Sequence, residues 1–347
     1  MDNNSVIQEA ENTTPETACI KCGNPEILEG YPNKLCGDCR QSLIKFPIPL
    51  WVKLFGAGIA LVMLISVVWL PKNLEAAVAL ARAEKAENHH NYISEQAALE
   101  KAKRIVPASI DVQAHLLIAS FYNGDFKTLS NAADFLESKN VKDSALFNKA
   151  SYIMSETKSY VPSESFTKYF SKYKNSLIPD TAYEHYLKDN PGDVYALHSL
   201  ASSYSNQEKY KAADSVLTRT LSVQSSFLPA MEYKTMIKRE LNQLDSSLYY
   251  CNKVLAENHQ NIFVLSSKAR TLLKSGKNRE GLNLAMEAYK LDKINPYNLA
   301  TMAIAYHFNQ EYKKRDAVIK LAQNDSVARE SMNYAKDIIS GKVKFQN

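Results

Sequence analysis

Glycine and proline are scarce in this chain, with 10 glycines and 12 prolines among 347 residues. These residues form most tight turns, so a fold of many β-hairpins is not expected and helices are the default. Runs of lysine and arginine interleaved with aromatic residues are also missing, and the net charge of +5 is spread along the chain. We therefore expect no nucleic-acid-binding surface.

The sequence also lacks the motifs of several common enzyme classes. It contains no GxxxxGK[ST] phosphate-binding loop, no HExxH zinc-protease motif and no GxSxG nucleophile turn. SxxK matches begin at Ser42, Ser155 and Ser165, and we attribute them to chance in a chain rich in serine and lysine. The seven histidines are scattered. We therefore do not expect an enzyme.

Four of the five cysteines form two C-x-x-C pairs near the N-terminus, Cys19 with Cys22 and Cys36 with Cys39, separated by 13 residues. Four thiolates in this pattern supply the tetrahedral ligands of Zn²⁺. A segment of about 25 residues buries too little core to fold alone, so a metal would supply folding energy. We predict a zinc-ribbon-like module at residues 16–43 that binds one structural Zn²⁺. Two disulfides and a rubredoxin-like iron site are the alternatives.

One uncharged apolar stretch follows the cysteines. From Leu54 to Leu70 the sequence reads LFGAGIALVMLISVVWL, and about 20 such residues span a bilayer. The only two tryptophans, Trp51 and Trp69, lie at its ends, where aromatic rings settle in a membrane. We predict a single transmembrane helix at residues 50–70, in preference to a buried helix of a globular protein or a cleavable signal peptide.

The charges beside this stretch predict its orientation. Lys34, Arg40, Lys45 and Lys53 lie on the N-terminal side, whereas the other side mixes basic and acidic residues. The more basic side of a span usually faces the cytoplasm, and free thiols persist in that reducing compartment. We expect the N-terminus, with a polar disordered tail at residues 1–15, to be cytoplasmic and the larger C-terminal part to be extracytoplasmic.

Residues 194–327 repeat with a period of 34. Like residues recur at equivalent positions, as at Leu197, Met231, Leu265 and Leu299, and at Ala201, Thr235, Ala269 and Ala303. A fixed period in this range is typical of stacked helical units. The pattern of small and large residues resembles the tetratricopeptide repeat (TPR) family, strongly over these copies and more weakly over residues 74–345. The resemblance implies an all-α solenoid of helix pairs, preceded by the cysteine module and the transmembrane helix.

Two parts of the pattern are irregular. Lys238 stands where the other copies have a large apolar residue, so we expect looser packing in the second copy. Between Asp143 and Asn190 the period blurs, and the sequence leaves the fold of that segment open.

The resemblance also implies that the first helix of each pair lines a concave face that binds a protein or peptide. The residues expected on that face are Tyr195, His198, Asn206, Arg239, Phe263, Arg270, Lys274, Tyr297 and His307. Cations of this kind suit a partner's carboxylate, and aromatic side chains are common binding anchors.

The predicted function is a membrane-anchored scaffold that binds a protein or peptide partner. One alternative is a single-pass signalling or sensor protein that couples binding at the repeats to the zinc ribbon. Another is a redox accessory protein with iron at the cysteines.

Overall fold

The computed structural model of this chain describes most of its length, namely residues 18–44, 48–173, 177–323 and 325–346. The predicted disordered tail at residues 1–15 lies outside them. The chain divides into two compact units, Met1–Pro71 and Lys72–Asn347. Every regular element in the described residues is a helix or a short 3₁₀ turn, which confirms the predicted all-α class.

The first unit contains the cysteine segment. A backbone hydrogen bond from Leu28 N to Leu35 O, 3.1 Å long, closes a small loop between the two cysteine pairs. Helix α1 (Gly37–Ile44) follows the loop. Helix α2 runs over Leu50–Glu87, so it includes both the apolar stretch and the first residues of the predicted repeat domain at residues 74–345.

Helix α2 contains the apolar window Leu50–Val67, which has a mean hydropathy of 2.2 and is 0% buried. By length and composition it is the one helix among the described residues that could cross a membrane.

The second unit is a succession of helices in which neighbours along the chain pack together. After α2 they are α3 (Tyr92–Ile105), α4 (Ile110–Asn123), α5 (Phe126–Leu136), α6 (Ser144–Glu156), α7 (Glu164–Phe170), α8 (Asp180–Asp189), α9 (Val194–Asn206), α10 (Tyr210–Val223), α11 (Leu228–Glu240), α12 (Leu244–Glu257), α13 (Ile262–Lys274), α14 (Asn278–Leu291), α15 (Pro296–Phe308), α16 (Tyr312–Ala322) and α17 (Ser326–Ile339).

The four regular copies keep the 34-residue spacing in their helix boundaries. Their first helices are α9, α11, α13 and α15, and their second helices are α10, α12, α14 and α16. The turn between the helices has one residue with positive φ in every copy: Glu208 (57°), Asn242 (60°), Gly276 (79°) and Gln310 (61°). A side chain disfavours this conformation by roughly 1–2 kcal/mol. Packing of the two helices therefore sets the turn even where glycine is absent.

The small residues of the repeat lie at helix contacts, as the resemblance implied. Ala201, Ala269 and Ala303 are each 0% exposed. Gly281 allows α14 to approach α13 closely, since a Cβ atom there would lie 2.6 Å from Leu273 Cγ. Lys238 does not leave a simple gap, because its Nζ lies 2.8 Å from Asp214 Oδ2. An ion pair replaces the apolar contact of the other copies.

The segment with no clear period folds around aromatic side chains. Phe166 and Phe170 of α7 pack against Tyr183 and Tyr186 of α8, with ring centroids 4.9–6.3 Å apart. This cluster continues into Leu197 of the first regular copy.

The beginning of the second unit packs against the second and third regular copies, far away in sequence. His259 N donates to His90 O at 3.0 Å, and Asn258 Nδ2 donates to Tyr122 O at 2.9 Å. One hydrophobic cluster contains Leu116 of α4 together with Val264 of α13. Through these contacts, residues 90–126 and residues 228–297 lie next to each other.

Candidate functional site

The four N-terminal cysteines lie together. Their sulfur atoms are all within 4.8 Å of one another, and Cys22 Sγ is 3.5 Å from Cys36 Sγ. Cys19 and Cys22 flank a turn that ends at Gly23, which has φ of 76°, while Cys36 and Cys39 lie at the start of α1. All four are free thiols, and a disulfide would need about 2.05 Å between sulfurs.

The electrostatics of this cluster favour a bound cation. The close contact with Cys22 and Cys36 raises the pKa of Cys39 to about 12, because a second thiolate beside the first is unfavourable. Four deprotonated sulfurs at this spacing need positive charge among them. The donor set and its proximity fit a metal such as Zn²⁺.

The nine residues predicted to bind a partner differ in exposure. Asn206 is exposed, and Arg239 and Arg270 are buried with 2% and 4% exposure. The other residues are half-buried: Tyr195, His198, Phe263, Lys274, Tyr297 and His307. His198 contacts Phe227 and Tyr233, and burial lowers its pKa to about 4, so this imidazole is neutral near pH 7.

The buried arginines connect successive first helices. Arg270 Nε donates to Thr301 Oγ1 at 2.8 Å, and its guanidinium lies 3.8 Å from the centre of the Tyr297 ring. Arg239 forms an ion pair of 3.0 Å with Glu240 and donates to Ser267 Oγ at 3.0 Å. These contacts are internal, so both guanidinium groups stabilise the stacking of α11, α13 and α15.

A cavity of about 370 Å³ lies where the beginning of the second unit meets the regular copies. Two of the predicted residues, Phe263 and Tyr297, line it. Further lining side chains come from α4, α5, the 3₁₀ turn after α6 and α11, and include Phe121, Phe126, Tyr160, Leu228 and Glu232. The 34-residue period marks Phe263 and Tyr297, but it gives no sign that Phe126 and Tyr160 lie near them.

The polar groups of this cavity are few and incompletely paired. Glu232 is the one carboxylate among its lining residues, which include no lysine or arginine. Burial raises the pKa of Glu232 to about 7, although Asn261 Nδ2 donates to its Oε1 at 2.5 Å. The hydroxyls of Tyr160 and Tyr297 are buried and have no hydrogen-bond partner in the described part of the chain. Aromatic walls with a few such polar groups are typical of binding pockets.

The helix pairing and 34-residue spacing define this chain as a TPR-like helical-repeat protein. No protein-family model and no curated protein sequence matches it.

Several solved structures are similar to the chain, with low sequence identity. A TPR protein from Parabacteroides merdae is 14% identical with a TM-score of 0.39, over 76% of this chain and 99% of that one. PilF of Pseudomonas aeruginosa is 11% identical with a TM-score of 0.36, over 77% and 98%. YrrB, described as a TPR protein with an unusual peptide-binding site, is 16% identical with a TM-score of 0.34, over 54% and 91%. Because these scores lie below 0.5, the fold assignment rests on the helix arrangement itself.

Proposed function

We propose that this protein is a membrane-anchored scaffold whose repeat domain binds a protein or peptide partner at the cavity lined by Phe126, Phe263 and Tyr297. The observation that carries the proposal is the cavity, which combines aromatic walls with one carboxylate and unpaired hydroxyls. A solenoid stabilises itself through contacts between neighbouring units. Phe126 contributes little to that core, because 44% of its surface is exposed.

The cavity suits one or two side chains of a partner rather than a flat interface. Aromatic side chains in desolvated pockets supply much of the binding energy at protein interfaces. Partly exposed residues farther along the first helices, such as Asn206, Lys274 and His307, would contact the partner outside the cavity. The buried Arg239 and Arg270 would act indirectly, by fixing the positions of α11, α13 and α15.

The first unit would anchor and orient this scaffold. We propose that Leu50–Val67 of α2 spans the membrane, that the N-terminus is cytoplasmic, and that Cys19, Cys22, Cys36 and Cys39 hold a structural zinc ion there. The apolar window, the excess of lysine and arginine before it and the clustering of the sulfurs support these assignments. Binding at the repeats and the metal module would then lie on opposite sides of the membrane.

Site-specific photocrosslinking tests the binding surface without requiring a purified partner. A photoreactive phenylalanine analogue at position 126 should crosslink to a discrete partner in intact cells. Tyr249, on second helix α12, is 56% exposed and does not line the cavity, so the same analogue there is the control. Phe263→Ala should reduce crosslinking from position 126 at least tenfold while helix content is retained. Equal crosslinking from both positions, unaffected by this substitution, would show that the partner binds elsewhere.

A further inference from the structure

A second group of potential metal ligands lies outside the cysteine module, where three helices meet. Glu87 is the last residue of α2, Glu95 lies in the first turn of α3 and His115 lies in α4. One ligand atom of each residue is within 4.8 Å of the other two. Three distinct helices therefore direct two carboxylates and one imidazole toward the same point.

The environment of the Glu95 side chain indicates a ligand at this point. Its side chain is 0% exposed, yet neither carboxylate oxygen has a hydrogen-bond partner in the described residues. A buried carboxyl group without a partner is unfavourable, and buried charges are normally paired or coordinated to a metal. Its Oε1 lies 3.8 Å from His115 Nδ1, an ion-pair contact that is too long for a hydrogen bond, so the carboxylate faces the other two side chains.

His115 and Glu87 lie close enough to share one ion. His115 Nδ1 is 2.8 Å from Glu87 Oε2, but among the described residues this nitrogen has no partner aligned for a hydrogen bond. Nitrogen and oxygen ligands lie about 2.0–2.2 Å from Zn²⁺, so neighbouring ligands of a tetrahedral ion are roughly 3.3–3.6 Å apart, and these two side chains would separate slightly to hold it. A small inward movement of Glu95 would complete a three-ligand arrangement.

The surrounding residues leave these ligand atoms available. Lys149 Nζ lies 2.5 Å from Glu87 Oε1, so the lysine engages one oxygen of that carboxylate and Oε2 remains on the side of His115. His115 and Glu87 are 16% and 15% exposed, which provides a path for an ion from solvent. Metal-binding side chains in proteins usually use their remaining polar atom to contact a neighbouring residue, as Glu87 does with Lys149.

We propose that Glu87, Glu95 and His115 bind one divalent metal ion, with Zn²⁺ as the ion that best fits one imidazole nitrogen and two carboxylates. The ion would join α2, α3 and α4 at the start of the repeat domain. Three protein ligands leave a coordination position open for water or another donor. This site is separate from the cysteines and independent of partner binding at the cavity.

Cobalt binding to the full-length apo chain tests the proposal, because Co²⁺ reports its ligands optically. Thiolate ligands give a sulfur-to-cobalt charge-transfer band, and nitrogen and oxygen ligands do not. The wild-type chain should bind one more equivalent of Co²⁺ than either Glu95→Gln or His115→Gln, and the thiolate band should be the same in all three. Excess Zn²⁺ should displace this additional equivalent.

Glu100→Gln is the matched control, since Glu100 is an exposed carboxylate on the same helix as Glu95, and it should bind as much Co²⁺ as wild type. Circular dichroism checks that each variant keeps its helix content, and His115→Gln provides the measurement if Glu95→Gln does not fold. Equal stoichiometry in wild type and a folded Glu95→Gln or His115→Gln chain would overturn the proposal. The cluster would then be a proton-linked ion-pair network.

Discussion

Replacement of Glu232 by glutamine is expected to stabilise the repeat domain at neutral pH. The carboxyl group lies in the wall of the cavity, and burial raises its pKa from an ordinary value of 4.5 to about 7. Glutamine has nearly the same shape and keeps an oxygen that can accept the hydrogen bond from Asn261 Nδ2. The substitution therefore removes the buried ionisable group with little change in packing.

The sign and size of the effect follow from linkage between protonation and folding. Because the folded carboxyl group binds its proton more tightly than the unfolded one, the wild type loses stability as pH rises from about 4.5 to about 7. A pKa rise of this size corresponds to roughly 3 kcal/mol in the free energy of unfolding. Because Glu232 is only half-buried, we expect the substitution to raise that free energy by about 2–3 kcal/mol at neutral pH. Wild type and Glu232→Gln should be equally stable near pH 4.5, and the variant should be more stable above pH 7.

Urea denaturation of the full-length chain in a non-ionic detergent, followed by circular dichroism at several pH values, measures this difference. Glu287→Gln on α14 is the control, since Glu287 is exposed and surface changes usually alter stability by less than about 0.5 kcal/mol. The reasoning would be refuted if Glu232→Gln and wild type had the same free energy of unfolding at pH 8. It would also be refuted if the two free energies differed by the same amount at pH 4.5 and at pH 8. A variant that is more stable but crosslinks less partner would indicate that the carboxylate serves binding.

Two further predictions concern the first unit. The purified chain should contain zinc, and the double variant Cys22→Ser with Cys39→Ser should lose it, because two thiols cannot retain a four-ligand site. Disulfides found by mass spectrometry, or iron in the visible spectrum, would contradict this prediction. A reporter fused after residue 45 should be cytoplasmic and one fused to the C-terminus extracytoplasmic, as the flanking charges predict, and the opposite result would reverse the orientation.

The sequence was sufficient for the fold class because each repeat is specified locally. Buried positions such as Ala201 and Ala303 recur at the 34-residue spacing, and each unit contacts mainly its neighbours. The cysteine cluster was also predictable, since the spacing of two C-x-x-C pairs encodes its geometry. The ion pair of Lys238 could not be predicted, because the sequence does not reveal that Asp214 of the preceding helix lies opposite it.

The cavity could not be predicted, because it depends on contacts between distant parts of the chain. Phe126 and Tyr160 meet the regular copies through the packing of residues 90–126 against residues 228–297, and no period relates these segments. Burial of Arg270 was missed for a related reason. Its position on the first helix suggests a groove, whereas Tyr297 and Thr301 of the next copy enclose its guanidinium.

Two acidic side chains, the buried Glu95 and the half-buried Glu232, lie where the beginning of the repeat domain packs against the regular copies. In the described part of the chain, the carboxylate of Glu95 has no hydrogen-bond partner. Burial raises the pKa of Glu232, and two tyrosine hydroxyls without a hydrogen-bond partner in the same described residues belong to the lining of its cavity. An amide side chain would be more stable at the position of Glu232 at neutral pH, as the expected behaviour of Glu232→Gln illustrates. Natural sequences that break local rules in this way usually do so at functional sites. Ile93 of α3 and Phe121 of α4 line the cavity, and the same two helices carry Glu95 and His115, so the proposed partner site and the proposed metal site share supporting helices.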